Sequence, residues 1–199
     1  MNGKIAGTPD EESKSTKSDS RWADGSGLPS IVEAGDPRLR NIAEEYKNIS
    51  ELQPLCERLV SMLRDFNGAG LAASQIGESA PVVVVEVRKT DLFPDRPTSP
   101  LYIMINPRIL DSSGPVEQGW EGCFSIPGIM AKVPRPEKVQ VSYTDPQGTD
   151  HTQWFEGYLA RVVMHEIDHL NGILFTDLMD PKTLTTVSNW KKYHLNQNS

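Results

Sequence analysis

The chain has 199 residues, of which 37% are hydrophobic and 24% charged, and its formal net charge is -7. This length predicts one domain with a core of its own, and the acidic charge argues against direct binding of nucleic acid through its phosphates. No apolar stretch reaches the roughly 18 residues of a membrane-spanning helix, so we expect no contact with a membrane.

The amino-terminal segment is polar, and we interpret residues 1–28 as a disordered leader before one folded domain over residues 29–199. It lacks the apolar core of a signal peptide. Transit peptides contain few acids, whereas this segment includes Asp10 and Glu11. We therefore expect a cytoplasmic protein, with a mitochondrial or plastid location as the alternative.

A first helix is predicted within residues 49–68, where apolar residues recur at helical spacing. Ser50 is the expected N-cap, and Gly68 lies just beyond the expected end. The apolar stripe consists of Leu52, Leu55, Cys56, Leu59, Leu63 and Phe66. Cys56 is therefore predicted to be a core residue, and two cysteines in all, with Cys123, fit a reducing compartment rather than a disulfide scaffold.

Strands follow this helix. The runs "PVVVVEV" (81–87) and "LYIMINPRIL" (101–110) have the β-branched composition of strands. Residues 138–144 and 151–157 then predict two strands, joined by a turn that contains Pro146 and Gly148.

The segment "GYLARVVMHEIDHLNG" (157–172) predicts a second helix, and a last helical piece is predicted from Thr183 to His194. The order of helix, several strands and helix indicates a single α+β domain with antiparallel or mixed β-sheets around the second helix.

The second helix carries the HExxH pattern. His165 and His169 are four residues apart and therefore share one helix face, so both imidazoles can reach one cation. Glu166 is rotated away from them and can act as a general base instead of a ligand. Chance occurrences of this pattern are common, and it does not identify the third ligand.

The third ligand is predicted to come from upstream. Phe175 stands where one class of HExxH protease has a third histidine, and no glutamate follows Glu166. The segment "GWEGCFSIPG" offers Cys123 among flexible glycines, and a cysteine with two histidines leaves a coordination position open for catalysis. Asp177 and Asp180 remain alternative ligands.

A third segment, "NGAGLAASQIG", places Gly70 and Gln75 after the first helix, where backbone can approach a ligand closely and an amide can donate to an oxygen. The ordered set "GAGLAASQ", "EGCFS" and "HEIDH" resembles the peptide deformylases. The resemblance extends through "SIPGIMAKVPRPEKV" and "HLNGILF" and covers about residues 31–179.

This resemblance implies a metal-dependent hydrolase that removes the formyl group from the N-terminal formylmethionine of new polypeptides and releases formate. The implied metal is Fe²⁺, with Zn²⁺, Ni²⁺ or Co²⁺ as alternatives, and the implied partners are nascent formylmethionyl peptides and the ribosome. The implied site residues are as follows: metal ligands Cys123, His165 and His169; acid/base residue Glu166; oxyanion donors Gln75 and the Phe124 N–H; substrate-binding residues Gly70, Ala69, Tyr158 and Val162.

Some positions depart from the family pattern. Phe124 stands where many members have leucine, Ser74 where many have proline, and Met130 where several have arginine. Two other functions remain open from the residues alone, namely a metallopeptidase that cuts peptide bonds and a non-catalytic peptide- or ribosome-binding module.

Overall fold

The computed structural model describes residues 31–90 and 93–195, so the predicted leader, residues 1–28, lies outside the described residues. The described part is an α+β domain built on a six-stranded sheet with the order β1-β2-β3-β4-β5, in which β6 pairs with β4. The strands are β1 Gly70–Ala72, β2 Val82–Val85, β3 Tyr102–Cys123, β4 Ile126–Thr144, β5 Asp150–Glu156 and β6 Thr185–Thr186. The α-helices are α1 Gln53–Asp65, α2 Gly157–Leu170, α3 Phe175–Leu178 and α4 Val187–Tyr193. The predicted fold class is confirmed, and all described strand pairs are antiparallel.

The first predicted helix is present, but it begins later than expected. Ser50 lies in a 3-10 turn, Ile49–Leu52, and α1 starts at Gln53 without a side-chain cap. The prediction of Ser50 as N-cap was therefore wrong, because Pro54 in the first turn sets the start of the α-helix instead. The predicted apolar stripe is confirmed: Cys56 is 1% exposed, and burial raises its pKa to about 11.

Strands β3 and β4 are longer than the sequence composition predicts. β3 continues to Cys123 and β4 begins at Ile126, so the two form one long hairpin with Phe124 and Ser125 in its turn. Register shifts along this hairpin bend the strands. The hairpin end therefore presents the Cys123 side chain beside the helix that follows β5.

Helix α2 packs against the sheet through an apolar face. Its buried residues include Ala160, Val163, Met164 and Ile167, which join Val139 and other strand residues in the main core. This packing fixes the helix axis relative to β1 and the hairpin end. None of the helices in residues 31–90 and 93–195 has the length and the apolar run needed to cross a bilayer.

The chain end differs from the single helix predicted from Thr183 to His194. A 3-10 turn, Pro181–Thr183, is followed by β6 and only then by α4. Thr185 and Thr186 pair with Met130 and Ile129 of β4, and this pairing keeps them extended. The β-branched threonines therefore follow their strand preference, and the helix starts after the Thr186 side chain caps it.

Candidate metal centre

The two histidines of α2 lie on its buried face. His165 is 8% exposed and His169 is 1% exposed, and their ring centroids are 5.0 Å apart in an edge-to-face arrangement. The four-residue spacing therefore places both rings on one face of α2, as helical geometry predicts, and this face lies toward the hairpin end.

Cys123 completes this group. Its Sγ atom lies 3.2 Å from Nε2 of His169, and one ligand atom from each of Cys123, His165 and His169 lies within 4.8 Å of the others. Cys123 is 7% exposed. The hairpin turn supplies the thiol and the helix supplies the two imidazoles, so residues more than 40 positions apart in the chain converge at one buried point.

The geometry and chemistry of this group fit a transition-metal ion. Sulfur and nitrogen ligands of a tetrahedral ion, at about 2.3 Å and 2.0–2.1 Å from it, stand about 3.5 Å apart, close to the observed sulfur–nitrogen distance. Nδ1 of His165 bonds to Glu121, which leaves Nε2 of that ring for a cation. Burial and the neighbouring His165 ring lower the pKa of His169 well below its usual value, so its imidazole is in the neutral form that binds metals.

The other carboxylates considered as third ligands have different partners. Asp177 pairs with Arg40 and accepts from the backbone N–H of Leu174. Asp180 accepts from the backbone N–H of Lys182 at the start of a 3-10 turn. In the described part of the chain, neither carboxylate lies within the group formed by Cys123, His165 and His169. Asp177 and Asp180 therefore stabilise their own turns instead.

Behind His165 lies a buried ion-pair network that the sequence interpretation missed. Glu121 Oε2 lies 2.9 Å from Nδ1 of His165, and its carboxylate also receives two hydrogen bonds of 3.0 Å from Arg135 and one of 2.8 Å from Arg161. Burial favours a raised pKa for Glu121, but the hydrogen bonds from His165 and Arg135 outweigh it and bring the pKa to about 2. Glu121 is thus a fixed anion that orients the His165 ring.

Glu166 lies beside the ligand group, against β1. An added Cβ on Gly70 would lie 2.4 Å from Oε1 of Glu166, so only glycine leaves room for this carboxylate. Its Oε2 atom is buried and has no hydrogen-bond partner among residues 31–90 and 93–195. Burial raises the pKa of Glu166 to about 7. The carboxylate is therefore held without a protein partner at one oxygen, as a group that exchanges protons with a substrate requires.

Gln75 and Phe124 are both close to Cys123. Gln75 is 1% exposed; its Oε1 accepts from the Ala72 N–H at 2.8 Å, and its Nε2 donates to Cys123 Sγ at 3.3 Å. Phe124 follows Cys123 in the hairpin turn, and its ring packs on Phe66 with centroids 5.5 Å apart. A Cβ on Gly68 would collide with the Phe124 ring, so this departure from leucine is accommodated by a glycine.

Two other departures have visible consequences. The Ser74 hydroxyl donates to the His169 carbonyl oxygen at 3.2 Å and thereby ties the 3-10 turn, Ala73–Ile76, to the end of α2. Met130 is buried against Val187 and Trp190 of α4, so an apolar contact occupies this position.

One cavity of about 790 Å³ opens onto these residues. Cys123, His165, Glu166 and Gln75 line its inner end. The four predicted substrate-binding residues, Ala69, Gly70, Tyr158 and Val162, also line it. All the predicted site residues therefore border one space, except His169, which lies behind it.

Comparisons with known proteins identify the family. The family model for polypeptide deformylase matches residues 28–184. Peptide deformylase 2 of Nostoc sp. is 36% identical over 79% of this chain and 89% of its own length, and that of Bordetella bronchiseptica is 40% identical over 74% and 85%. A class I type b peptide deformylase from Acinetobacter baumannii, bound to Met-Ala-Ser, superposes with a TM-score of 0.72 at 35% identity over 75% of this chain and 96% of that one. A peptide deformylase from Synechococcus elongatus in complex with actinonin gives 0.69 at 36% identity over 79% and 82%.

The α+β fold and the buried Cys-His-His group beside a glutamate define the class as metal-dependent hydrolases. Within that class, the chain belongs to the polypeptide deformylase family. Its activity is the metal-dependent removal of the N-terminal formyl group from nascent polypeptides. Membership of this family argues against the two alternative functions, a metallopeptidase that cuts peptide bonds and a non-catalytic binding module.

Proposed function

We propose that Cys123, His165 and His169 hold one divalent cation, Fe²⁺ in the cell, and that deformylation takes place beside it. The observation that carries this proposal is the convergence of three ligand atoms within 4.8 Å at the inner end of the cavity. One sulfur and two imidazole nitrogens suit Fe²⁺ and also Zn²⁺, Ni²⁺ or Co²⁺. When bound, such a cation supplies a Lewis acid for a carbonyl oxygen and lowers the pKa of a water molecule.

Glu166 is the proposed acid/base residue. Its carboxylate takes a proton from the attacking water, the water oxygen bonds to the formyl carbon, and the proton then passes to the leaving amine nitrogen as the carbon–nitrogen bond breaks. The products are formate and a free amino terminus. The buried Oε2 atom supports this role, because no group in the described part of the chain forms a hydrogen bond with it.

Gln75 and the backbone N–H of Phe124 are the proposed donors to the oxyanion. The Gln75 amide uses one N–H toward Cys123 and has a second available. A donor of this kind is worth about 3–4 kcal/mol in the transition state. The side-chain oxygen of Gln75 accepts a hydrogen bond from the Ala72 N–H, so the amide is oriented before the substrate binds.

The substrate peptide is proposed to pair with Gly70 and to place its methionine side chain against Ala69, Tyr158 and Val162. β1 lies at one end of the sheet and pairs with β2 alone among the described strands, which leaves its other edge for an added strand. An apolar pocket discriminates by about 1–3 kcal/mol per methylene. The Acinetobacter baumannii relative binds Met-Ala-Ser, which supports a peptide that begins with methionine as the ligand.

Metal analysis and formate release, measured on the same anaerobically purified sample, test the proposal. Formyl-Met-Ala-Ser is expected to release formate in proportion to the bound metal, with Fe²⁺ giving the highest rate, whereas acetyl-Met-Ala-Ser is expected to release acetate far more slowly. Equal formate release from a metal-free sample, or acetate release as fast as formate release, would contradict the proposal.

Because the substrate is a nascent chain, we extend the proposal to the ribosome as a partner and to the cytoplasm as the compartment, with a mitochondrion or plastid as the alternative. Co-sedimentation with translating ribosomes tests the first part. Recovery of all the protein in the supernatant would restrict the substrate to released chains. Fractionation of the source cells tests the compartment.

A further inference from the structure

A charged side chain in the wall of the cavity has no charged partner among the residues that the structure describes. Arg96 lies in the segment Pro94–Pro97, which follows β2 and lines the cavity. Within residues 31–90 and 93–195, Arg96 has aromatic neighbours and no carboxylate in an ion pair with it. Two other arginines near this site have carboxylate partners, since Arg135 pairs with Glu121 and Asp168, and Arg161 pairs with Glu121.

Aromatic rings hold the Arg96 guanidinium in place. Its central carbon lies 3.8 Å from the ring centroid of Phe93 and 5.0 Å from that of Tyr158. Phe93 in turn packs on Trp190 of α4, with centroids 5.8 Å apart. Stacking of this kind fixes the plane of a guanidinium and leaves its N–H groups at the edge available for an acceptor.

The backbone of this segment restricts Arg96 further. Pro94 and Pro97 flank it closely and limit the backbone angles there. Thr90 and Phe93 exchange backbone hydrogen bonds of 3.0 and 3.3 Å, which close the turn that precedes Arg96. The cation is therefore positioned before any ligand binds, so little side-chain entropy is lost on binding.

Arg96 lies within reach of a substrate whose first residue is at the metal centre. Its neighbour Tyr158 is seven residues before His165 on α2, which corresponds to about 10 Å along the helix axis. An extended peptide covers this distance in about three residues. Asp95, an exposed carboxylate on the same segment, also lines the cavity, and it forms no ion pair with Arg96.

We propose that Arg96 is a specificity-determining residue that binds an acidic side chain within the first few residues after the formylmethionine of the nascent chain. This inference rests on the proposed placement of the substrate in the cavity. A carboxylate accepts two parallel hydrogen bonds from the edge of a guanidinium, which a neutral amide cannot match.

Paired peptides test this inference. Formylated, C-terminally amidated peptides that differ only by aspartate or asparagine at position two, three or four isolate the carboxylate. At one of these positions, the wild-type protein is expected to have a kcat/KM about fivefold higher for the aspartate peptide than for the asparagine peptide. A partly exposed hydrogen bond between charged groups provides a preference of this size. Added salt, from about 0.05 to about 0.5 M, is expected to reduce this ratio toward one.

Variants identify the residue responsible. Arg96→Gln is expected to abolish the aspartate preference, and Arg96→Lys, which keeps the charge, is expected to retain part of it. Arg58→Gln serves as the matched control, because Arg58 pairs with Glu78 on the surface of another part of the molecule, and this variant should keep the full ratio. Affinity of the unformylated product peptides provides a second readout that is independent of turnover.

A ratio near one for every position in the wild-type protein would overturn the inference, as would a preference that persists in Arg96→Gln. Both results are distinct from failure of the proposed function, because formate release from the asparagine peptides reports that function separately.

Discussion

Glu121 and His165 form a contact that joins strand β3 to the histidine pair of α2. Oε2 of Glu121 lies 2.9 Å from Nδ1 of the His165 ring, and both residues are buried. The hairpin strand β3 thus orients a ring carried by α2. The sheet and the helix share this one ion-pair network, so the shape of the fold controls the position of a proposed ligand.

Replacement of Glu121 should therefore weaken metal binding. Glu121→Gln removes the anion but keeps the size of the side chain, and a loss of about 10- to 100-fold in metal affinity is expected from the removal of such a supporting group. Chelator competition measures this affinity. Glu117→Gln, on the same strand with an exposed side chain, is the matched control and should bind metal normally. Unchanged affinity in Glu121→Gln would mean that His165 needs no support from the strand.

The acid/base role of Glu166 predicts a separation of metal binding from turnover. Glu166→Ala should keep its metal and lose about 10²- to 10⁴-fold in kcat, the usual contribution of such a group. Metal content and single-turnover formate release are measured on one preparation. Glu57→Ala, on the exposed side of α1, should be fully active. A metal-loaded Glu166→Ala protein with normal turnover would assign the proton transfer to another group.

Gly70 is predicted to act through Glu166. In Gly70→Ala, the new Cβ would lie 2.4 Å from Oε1, so the carboxylate must shift. A misplacement of about 1 Å can cost about 100-fold in rate. If the effect passes through the carboxylate, Gly70→Ala should cause no further loss in a Glu166→Ala background. Additive losses in the double variant would show that Gly70 acts independently, for example through backbone pairing with the substrate.

The two cysteines should differ in their reactivity. Burial raises the pKa of Cys56 to about 11, so its thiol stays protonated and unreactive at pH 8. Cys123 borders the cavity and should react with iodoacetamide only after the metal has been removed. Mass spectrometry should therefore find no label on the metal-loaded protein and label at Cys123 alone on the metal-free protein. Labelling of Cys123 at the same rate in both forms would contradict its role as a ligand.

Local pattern was sufficient to predict the two longest helices, α1 and α2, and the shared face of the two histidines. The apolar stripe of α1 lies in the core, and the two histidines of α2 share a face, because helical periodicity alone determines both features. The third proposed ligand, Cys123, was inferred in two steps. The downstream residues were excluded first, and the glycines around Cys123 then indicated that its thiol could approach a cation. The structure brings that thiol within 3.2 Å of His169.

Features that depend on strand register could not be predicted in this way. Arg135 reaches Glu121 because β3 and β4 pair as one long hairpin, and no local pattern predicts the bulges that set this register. The segment "EGCFS" already contained Glu121, but a carboxylate without a known partner gives no signal of its role. Arg96 was likewise missed, since Tyr158, one of its two aromatic neighbours, comes from α2, more than 60 residues further along the chain.

The central claim is that one sulfur and two imidazole nitrogens hold a single cation and leave a coordination position open. X-ray absorption spectroscopy of the iron- or zinc-loaded protein tests it most directly. We predict one sulfur neighbour at about 2.3 Å and two histidine nitrogens at about 2.0–2.1 Å, with at least one further position filled by an exchangeable oxygen. A spectrum without sulfur, or with four protein ligands, would contradict the account.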